Sequence, residues 1–206
     1  MTDAMADAVA SGSRIISPLY VRISHWLNAL AVIVMIMSGL RIYNASPIFD
    51  FVIPKSLTIG GWLGGAILWH FAAMWLLMIN GLFYLAMNIW TGRMRTKFFP
   101  IRIPDLLDDS AAFLKGNLTH DDLSKYNSIQ KLAYVAAMGA IFILIMSGLA
   151  IWKPVQFPFL SGLMGGFDNA RIVHFFAMAF VVAFVIVHLV MVTVAPRTLL
   201  IMTRGH

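Results

Sequence analysis

Arg171–Ala195 reads RIVHFFAMAFVVAFVIVHLVMVTVA, an apolar run that carries two histidines, His174 and His188. A helix crosses the roughly 30 Å hydrocarbon core of a bilayer in about 20 residues, so this run is long enough to span it. Fourteen positions separate the two histidines. At about 3.6 residues per turn that is close to four turns, which puts both imidazoles on one side of the helix, about 21 Å apart along its axis. One helix therefore offers one nitrogen ligand near each face of the membrane. Whatever sits beside it comes in two copies, one above the other.

Composition agrees with a membrane chain. Of 206 residues, 60% are hydrophobic and 12% charged, against about 25% charged in ordinary globular domains. The reading is a polytopic, all-α membrane protein. There is no cysteine, which excludes disulfides, thiolate metal sites, cysteine-ligated iron–sulfur clusters and thioether-attached haem within this chain. Any redox centre must then be held by histidine.

Residues 1–17 are small and polar and read as a disordered tail without signal-peptide features. The membrane domain is expected over 18–195, with helices at about 21–43, 61–90, 130–151 and 171–195. A polar loop at 91–129 contains a candidate surface helix at Asp105–Leu114, with a plain solvated loop as the alternative. Residues 196–206 form a basic tail after Pro196. With odd-numbered spans starting inside, eleven of the 15 Lys and Arg fall on the side of both termini and the 91–129 loop. Cytoplasmic loops carry the excess of positive charge, so both termini are expected in the cytoplasm. The net charge of +6 is thereby a mark of topology, and no nucleic-acid partner is expected.

The chain also repeats itself. Arg22–Leu40 laid over Lys131–Leu149 without a gap matches Arg22 to Lys131 and makes Ile36–Leu40 identical to Ile145–Leu149, IMSGL. His70 within WHFAAM matches His174 within VHFFAM, while His25 falls opposite Tyr134 and His188 opposite Tyr84. Two related helix pairs result, with His and Tyr partly exchanged.

Depth sorts the four membrane histidines into level-matched pairs: His25 with His188 at the cytoplasmic side, and His70 with His174 at the outer side. Such pairs suit bis-histidine ligation of a flat macrocycle between helices, and haem iron takes axial histidine in this way. The bland alternative for any one histidine is an interhelical hydrogen bond. Four matched ones are harder to assign so, because ionisable groups are costly in lipid and usually functional. A proton relay would be expected to use carboxylates, and none lies in the expected spans. Zinc or copper would need more converging ligands than two per level. Arg22 and Arg171 sit near the two levels and are candidates for haem propionates, with interface marking as the alternative. Gly39 and Gly148 could admit a macrocycle or simply close helix packing.

At His25 within RISHW, at His70, at the SGL closing the first span and at the His174/His188 spacing, the chain resembles the prokaryotic di-haem cytochrome b subunits of membrane redox enzymes. These serve formate dehydrogenase, nickel–iron hydrogenase and thiosulfate reductase, and the likeness covers about residues 18–195. It implies a four-helix bundle with two haem b between helices, ligated by His25–His188 and by His70–His174. Lys125–Lys131, KYNSIQK, is similar to the segment opening the third helix in the formate dehydrogenase type. That likeness makes Asn127 and Gln130 candidates to contact quinone, with Lys131 or Tyr134 nearby and helix capping as the competing role. The expected function is electron transfer across the bilayer between ubiquinone or menaquinone and a periplasmic redox partner, such as a molybdopterin oxidoreductase. One alternative is a stand-alone superoxide:quinone oxidoreductase, drawing superoxide with Lys153 and Arg171. A haem-free transporter or structural subunit is the other.

Overall fold

The computed structural model describes residues 15–114 and 126–206. Most of the expected disordered tail, together with Lys115, His120, Asp121, Asp122 and Lys125, lies outside the described residues. The chain is all-α: α1 (Leu19–Ala45), α2 (Leu63–Trp90), the surface helix α3 (Ile103–Leu114), α4 (Ser128–Trp152), the short α5 (Pro158–Leu163), α6 (Phe167–Val194) and α7 (Arg197–Thr203). Among the described residues α1, α2, α4 and α6 are long and apolar enough to cross a membrane. Their backbones must be hydrogen-bonded internally in lipid, which leaves the helix as the available form for such open runs.

Helix ends follow local chemistry. Asn127 caps α4: its Oδ1 accepts from the Gln130 N–H at 2.7 Å, while Gln130 Oε1 accepts from the Asn127 N–H at 3.2 Å. This reciprocal capping box satisfies two orphan donors of the first turn. Gly165 and Gly166 turn the chain into α6 at φ 79° and 96°, a backbone region that a side chain would strain. That turn lets α6 begin at Phe167, four residues ahead of the expected 171. Asp168 thus enters the first turn, but its side chain is 90% exposed and brings no carboxylate into the interior.

Two other stretches differ from the reading of the sequence. The 196–206 tail folds into α7 after Pro196, whose ring restricts φ to a value that helix entry uses. α7 returns to α1, where Arg22 Nη1 donates to the Thr203 carbonyl at 2.8 Å and Trp26 Nε1 to the Met202 carbonyl at 3.1 Å. At the other terminus Ser17, expected in the disordered tail, is buried, and the Ile16 and Ser17 N–H groups both donate to the Gly205 carbonyl. Both ends of the described chain therefore meet at one end of the bundle. The Asp105–Leu114 surface helix forms as α3, starting at Ile103, with Ile103 and Leu107 exposed.

Close packing runs within two hairpins, α1 against α2 and α4 against α6. The residues buried there are small: Ala31, Ala66 and Ala73 with Ser24 and Ser38 in the first, Ala140, Ala150, Ala170 and Ala177 with Ser147 in the second. Lipid tails are as apolar as leucine, so helices in a bilayer associate through such close backbone approach rather than through hydrophobic burial. Between the hairpins the helix backbones stand farther apart, and large side chains meet across the interval.

One polar node ties the first hairpin. Asn80 Nδ2 donates to the Ser24 carbonyl at 2.8 Å and to Asn28 Oδ1 at 2.7 Å. Asn80→Ala is expected to cost about 1 kcal/mol, the scale of interhelical hydrogen bonds in membranes. A thermal melt in detergent should detect this as a lower midpoint, with cofactor content unchanged at low temperature.

Candidate functional site

Two helices from one hairpin each aim a histidine at the other hairpin's α6. His25 of α1 faces His188, with ring centres 6.0 Å apart and planes 60° to one another. His70 of α2 faces His174, at 6.4 Å and 57°. Both pairings expected from depth therefore appear as side-chain geometry, and all four rings are half-buried between the hairpins. The two positions on α6 are four turns apart, so the pairs occupy two levels about 21 Å apart along the helix.

At the level farther from the chain ends, each histidine is gripped within its own hairpin. Ser38 Oγ of α1 lies 3.0 Å from His70 Nδ1, and Ser147 Oγ of α4 lies 2.9 Å from His174 Nδ1. The next residue in each case is glycine. A Cβ placed on Gly39 would stand 3.3 Å from His70 Cε1, and one on Gly148 would stand 3.5 Å from His174 Cε1. These glycines thus make room for an imidazole edge, a role that neither expectation for them had named. Above this level the loop after α1 is tied back by Tyr43, whose hydroxyl donates to the Phe49 and Phe51 carbonyls at 3.2 Å. Phe49, Phe51 and Phe175 gather with Tyr43 into an aromatic cover.

The level nearer the chain ends is built differently. His25 meets the edge of Trp26 at 5.4 Å, and His188 stacks on Phe184 at 5.9 Å with planes 14° apart. Aromatic contacts continue from Phe184 to Tyr134 at 6.1 Å, on to Tyr126 at 5.2 Å, and to Phe98 at 6.0 Å. Burial pushes the Tyr126 phenol above its ordinary value, with the nearby Arg93 guanidinium pulling the other way. Tyr126 therefore stays protonated, and a donor, through neutral pH.

A metal between two imidazoles, at bonds of about 2 Å, separates the ring centres by about 6 Å once the two half-rings are added. Both observed separations meet that requirement. Among the described residues no cluster of three or more His, Cys, Asp or Glu could hold a metal. Two nitrogen donors per level, with no third ligand among the described residues, suit a metal whose other positions a macrocycle fills.

The remaining candidates have settled partners. Arg22 spends Nη1 on α7, while its Nε is buried with no protein partner among the described residues. Arg171 donates to the Ser46 carbonyl and lies 4.0 Å from Asp168. Lys153 rests over the Trp152 ring at 5.0 Å, so the two cations named for superoxide attraction are both engaged at helix ends. Asn127 and Gln130 use their carbonyl oxygens in the α4 cap. Lys131 Nζ donates to the Pro100 carbonyl at 3.3 Å. Reading the sequence singled out neither Ser38 nor Ser147, although the duplicated IMSGL carried the signal.

A family model described as prokaryotic cytochrome b561 matches residues 17–205. A curated relative from Azospira oryzae, described as "Putative protein-methionine-sulfoxide reductase subunit YedZ1", is 54% identical over 191 residues. The match covers 93% of this chain and 96% of the relative.

Proposed function

The chain belongs to the prokaryotic cytochrome b561 family of haem b membrane proteins, and from that premise we propose that it carries electrons across the bilayer on two haems. His25 with His188 would hold one haem b, and His70 with His174 the other. Bound there, haem supplies one-electron exchange between ferric and ferrous iron, while the protein sets position, ligand field and burial. The observation that carries this reading is the recurrence of one geometry at two levels, ring centres 6.0 and 6.4 Å apart.

The excess of Lys and Arg at the end that holds both termini orients that end to the cytoplasm. Quinone would exchange electrons there, near His25 and His188, and a periplasmic oxidoreductase would do so at the opposite end. The relative's name extends to this chain as a proposal about the partner: an enzyme, of the molybdopterin kind that the resemblance implies, that acts on methionine sulfoxide in proteins. Capping occupies only the carbonyl oxygens of Asn127 and Gln130. Their amide N–H groups remain to donate to a quinone carbonyl, so the two roles are compatible.

The two roles can be separated by substitution. Gln130→Glu keeps an acceptor for the Asn127 N–H and hence the capping box, but removes the amide donor. The variant is expected to retain wild-type haem content and melting temperature and to show a KM for quinol raised several-fold. Haem reduction by ubiquinol and menaquinol analogues in proteoliposomes measures it. Wild-type protein whose haems no quinol reduces and no quinone reoxidises would sink the quinone-linked reading.

A further inference from the structure

We infer that Ser38 and Ser147 fix the tautomer of the His70 and His174 imidazoles and thereby hold the reduction potential of that haem below the value its ligands alone would set. The inference rests on the haem assignment above and concerns the level farther from the chain ends.

Proton counting gives the first step. Ser38 Oγ donates to the Val34 carbonyl at 2.6 Å, with the Met35 carbonyl at 3.2 Å. Ser147 Oγ repeats this on the Ile143 carbonyl at 2.7 Å, with Leu144 at 3.3 Å. A serine hydroxyl has one proton, and here a backbone carbonyl takes it. Towards the histidine each serine can then only accept. A bare Nδ1 would face an oxygen lone pair at 3.0 or 2.9 Å with no proton between them. Nδ1 must therefore carry the proton in both rings, which leaves the Nε2 lone pair of each for a metal.

Symmetry gives the second step. The serines belong to the identical IMSGL of the two repeats, and each acts on the histidine of its own hairpin. The glycine after each serine lies along the Cε1 edge of the same ring, so the pair Ser-Gly holds two adjacent edges of the imidazole. Both axial ligands of one haem are thus supported alike, from opposite sides. Nothing comparable is seen at the other level: among the described residues the His25 and His188 rings have no hydrogen-bond partner and meet Trp26 and Phe184 instead.

The chemical consequence follows. An Nδ1–H that donates to oxygen shifts electron density onto Nε2 and makes the imidazole a stronger donor to its metal. Stronger donation stabilises ferric over ferrous iron, which lowers the potential. Back-bonded serines are common in membrane helices and allow close packing, so a packing role alone is the competing account. Packing alone would leave the potential unmoved.

Redox titration of the purified protein, followed by visible spectra and low-spin ferric electron paramagnetic resonance, decides between them. Two components are first assigned with His174→Ala, which removes one haem. Ser38→Ala and Ser147→Ala are each expected to keep both haems and to raise the midpoint of the His70–His174 component. The double variant should raise it further, and the His25–His188 component should stay where it was. Ser38→Thr retains a hydroxyl at the same place and should titrate as wild type. If Ser38→Ala sheds a haem, Ser38→Cys carries the test, because a thiol of similar size is a weaker acceptor: a raised midpoint supports the inference, and an unmoved one overturns it. Alanine variants with two haems and unmoved midpoints overturn it as well, as do equal shifts in both components. Wild-type protein without haem would instead overturn the assignment of the site, a distinguishable failure.

Discussion

On the proposed assignment, His174→Ala and His188→Ala are each expected to purify with about one b-type haem per chain against two in the wild type, because α6 would give one ligand to each level. The partners must agree. His70→Ala should lose the same spectral and redox component as His174→Ala, and His25→Ala the same one as His188→Ala. This follows from the ring geometry: His25 lies 6.0 Å from His188 and His70 lies 6.4 Å from His174, whereas the levels are about 21 Å apart by helix rise. A ligand lost at one level therefore has no substitute at the other. Pyridine haemochromogen assays against protein concentration give the stoichiometry, and reduced-minus-oxidised spectra give the component. Any variant that loses both haems while remaining folded would mean that the levels are not independent. If His25→Ala removed the same component as His174→Ala, the pairing itself would be wrong.

Much of this was legible in the sequence, because a bilayer simplifies the code. Long apolar runs have one way to satisfy their backbones, so four spans could be placed from hydropathy, each start falling within about four residues of the observed one. The pairing of His25 with His188 and of His70 with His174 could be read too, since helix rise converts sequence position directly into depth. Directions around the helix axis and departures from apolar runs were not legible. Arg22 and Arg171 sit at the expected depths, yet their guanidinium groups turn to the Thr203 and Ser46 carbonyls. Choices of that kind depend on where α7 and the loop after α1 come to rest. α7 itself was missed because seven residues after a proline carry too little periodicity to be distinguished from a tail. The serines were missed for a different reason. Within an apolar helix a serine reads as a small packing residue, and only the position of the facing histidine reveals that its oxygen has a second use.

Gly39→Leu and Gly148→Leu are expected to abolish haem binding at the His70–His174 level and spare it at the other, although neither glycine is a ligand. The first carbon of a side chain on Gly39 would already stand 3.3 Å from His70 Cε1, and leucine adds three more carbons along that direction. Either the imidazole or the helix must yield. Overpacking of this kind costs about 1–3 kcal/mol, and the imidazole is the mobile partner because its own grip is the Ser38 contact on the same helix. A ring pushed off its place no longer converges with His174, and two-point ligation fails. The effect should be graded by the available space. At Gly148 the corresponding carbon meets His174 Cε1 at 3.5 Å, an ordinary contact, so Gly148→Ala should bind both haems and Gly39→Ala should hold the affected one more loosely. Gly81 and Gly139 have nothing within 4 Å of an added Cβ, and their leucine variants should be indistinguishable from wild type in haem content. Spectral quantitation across the six variants tests this ordering. Equal loss at Gly139 and Gly39 would show that any added bulk in the spanning helices expels haem, and would remove the specific role assigned to the contact between glycine and histidine.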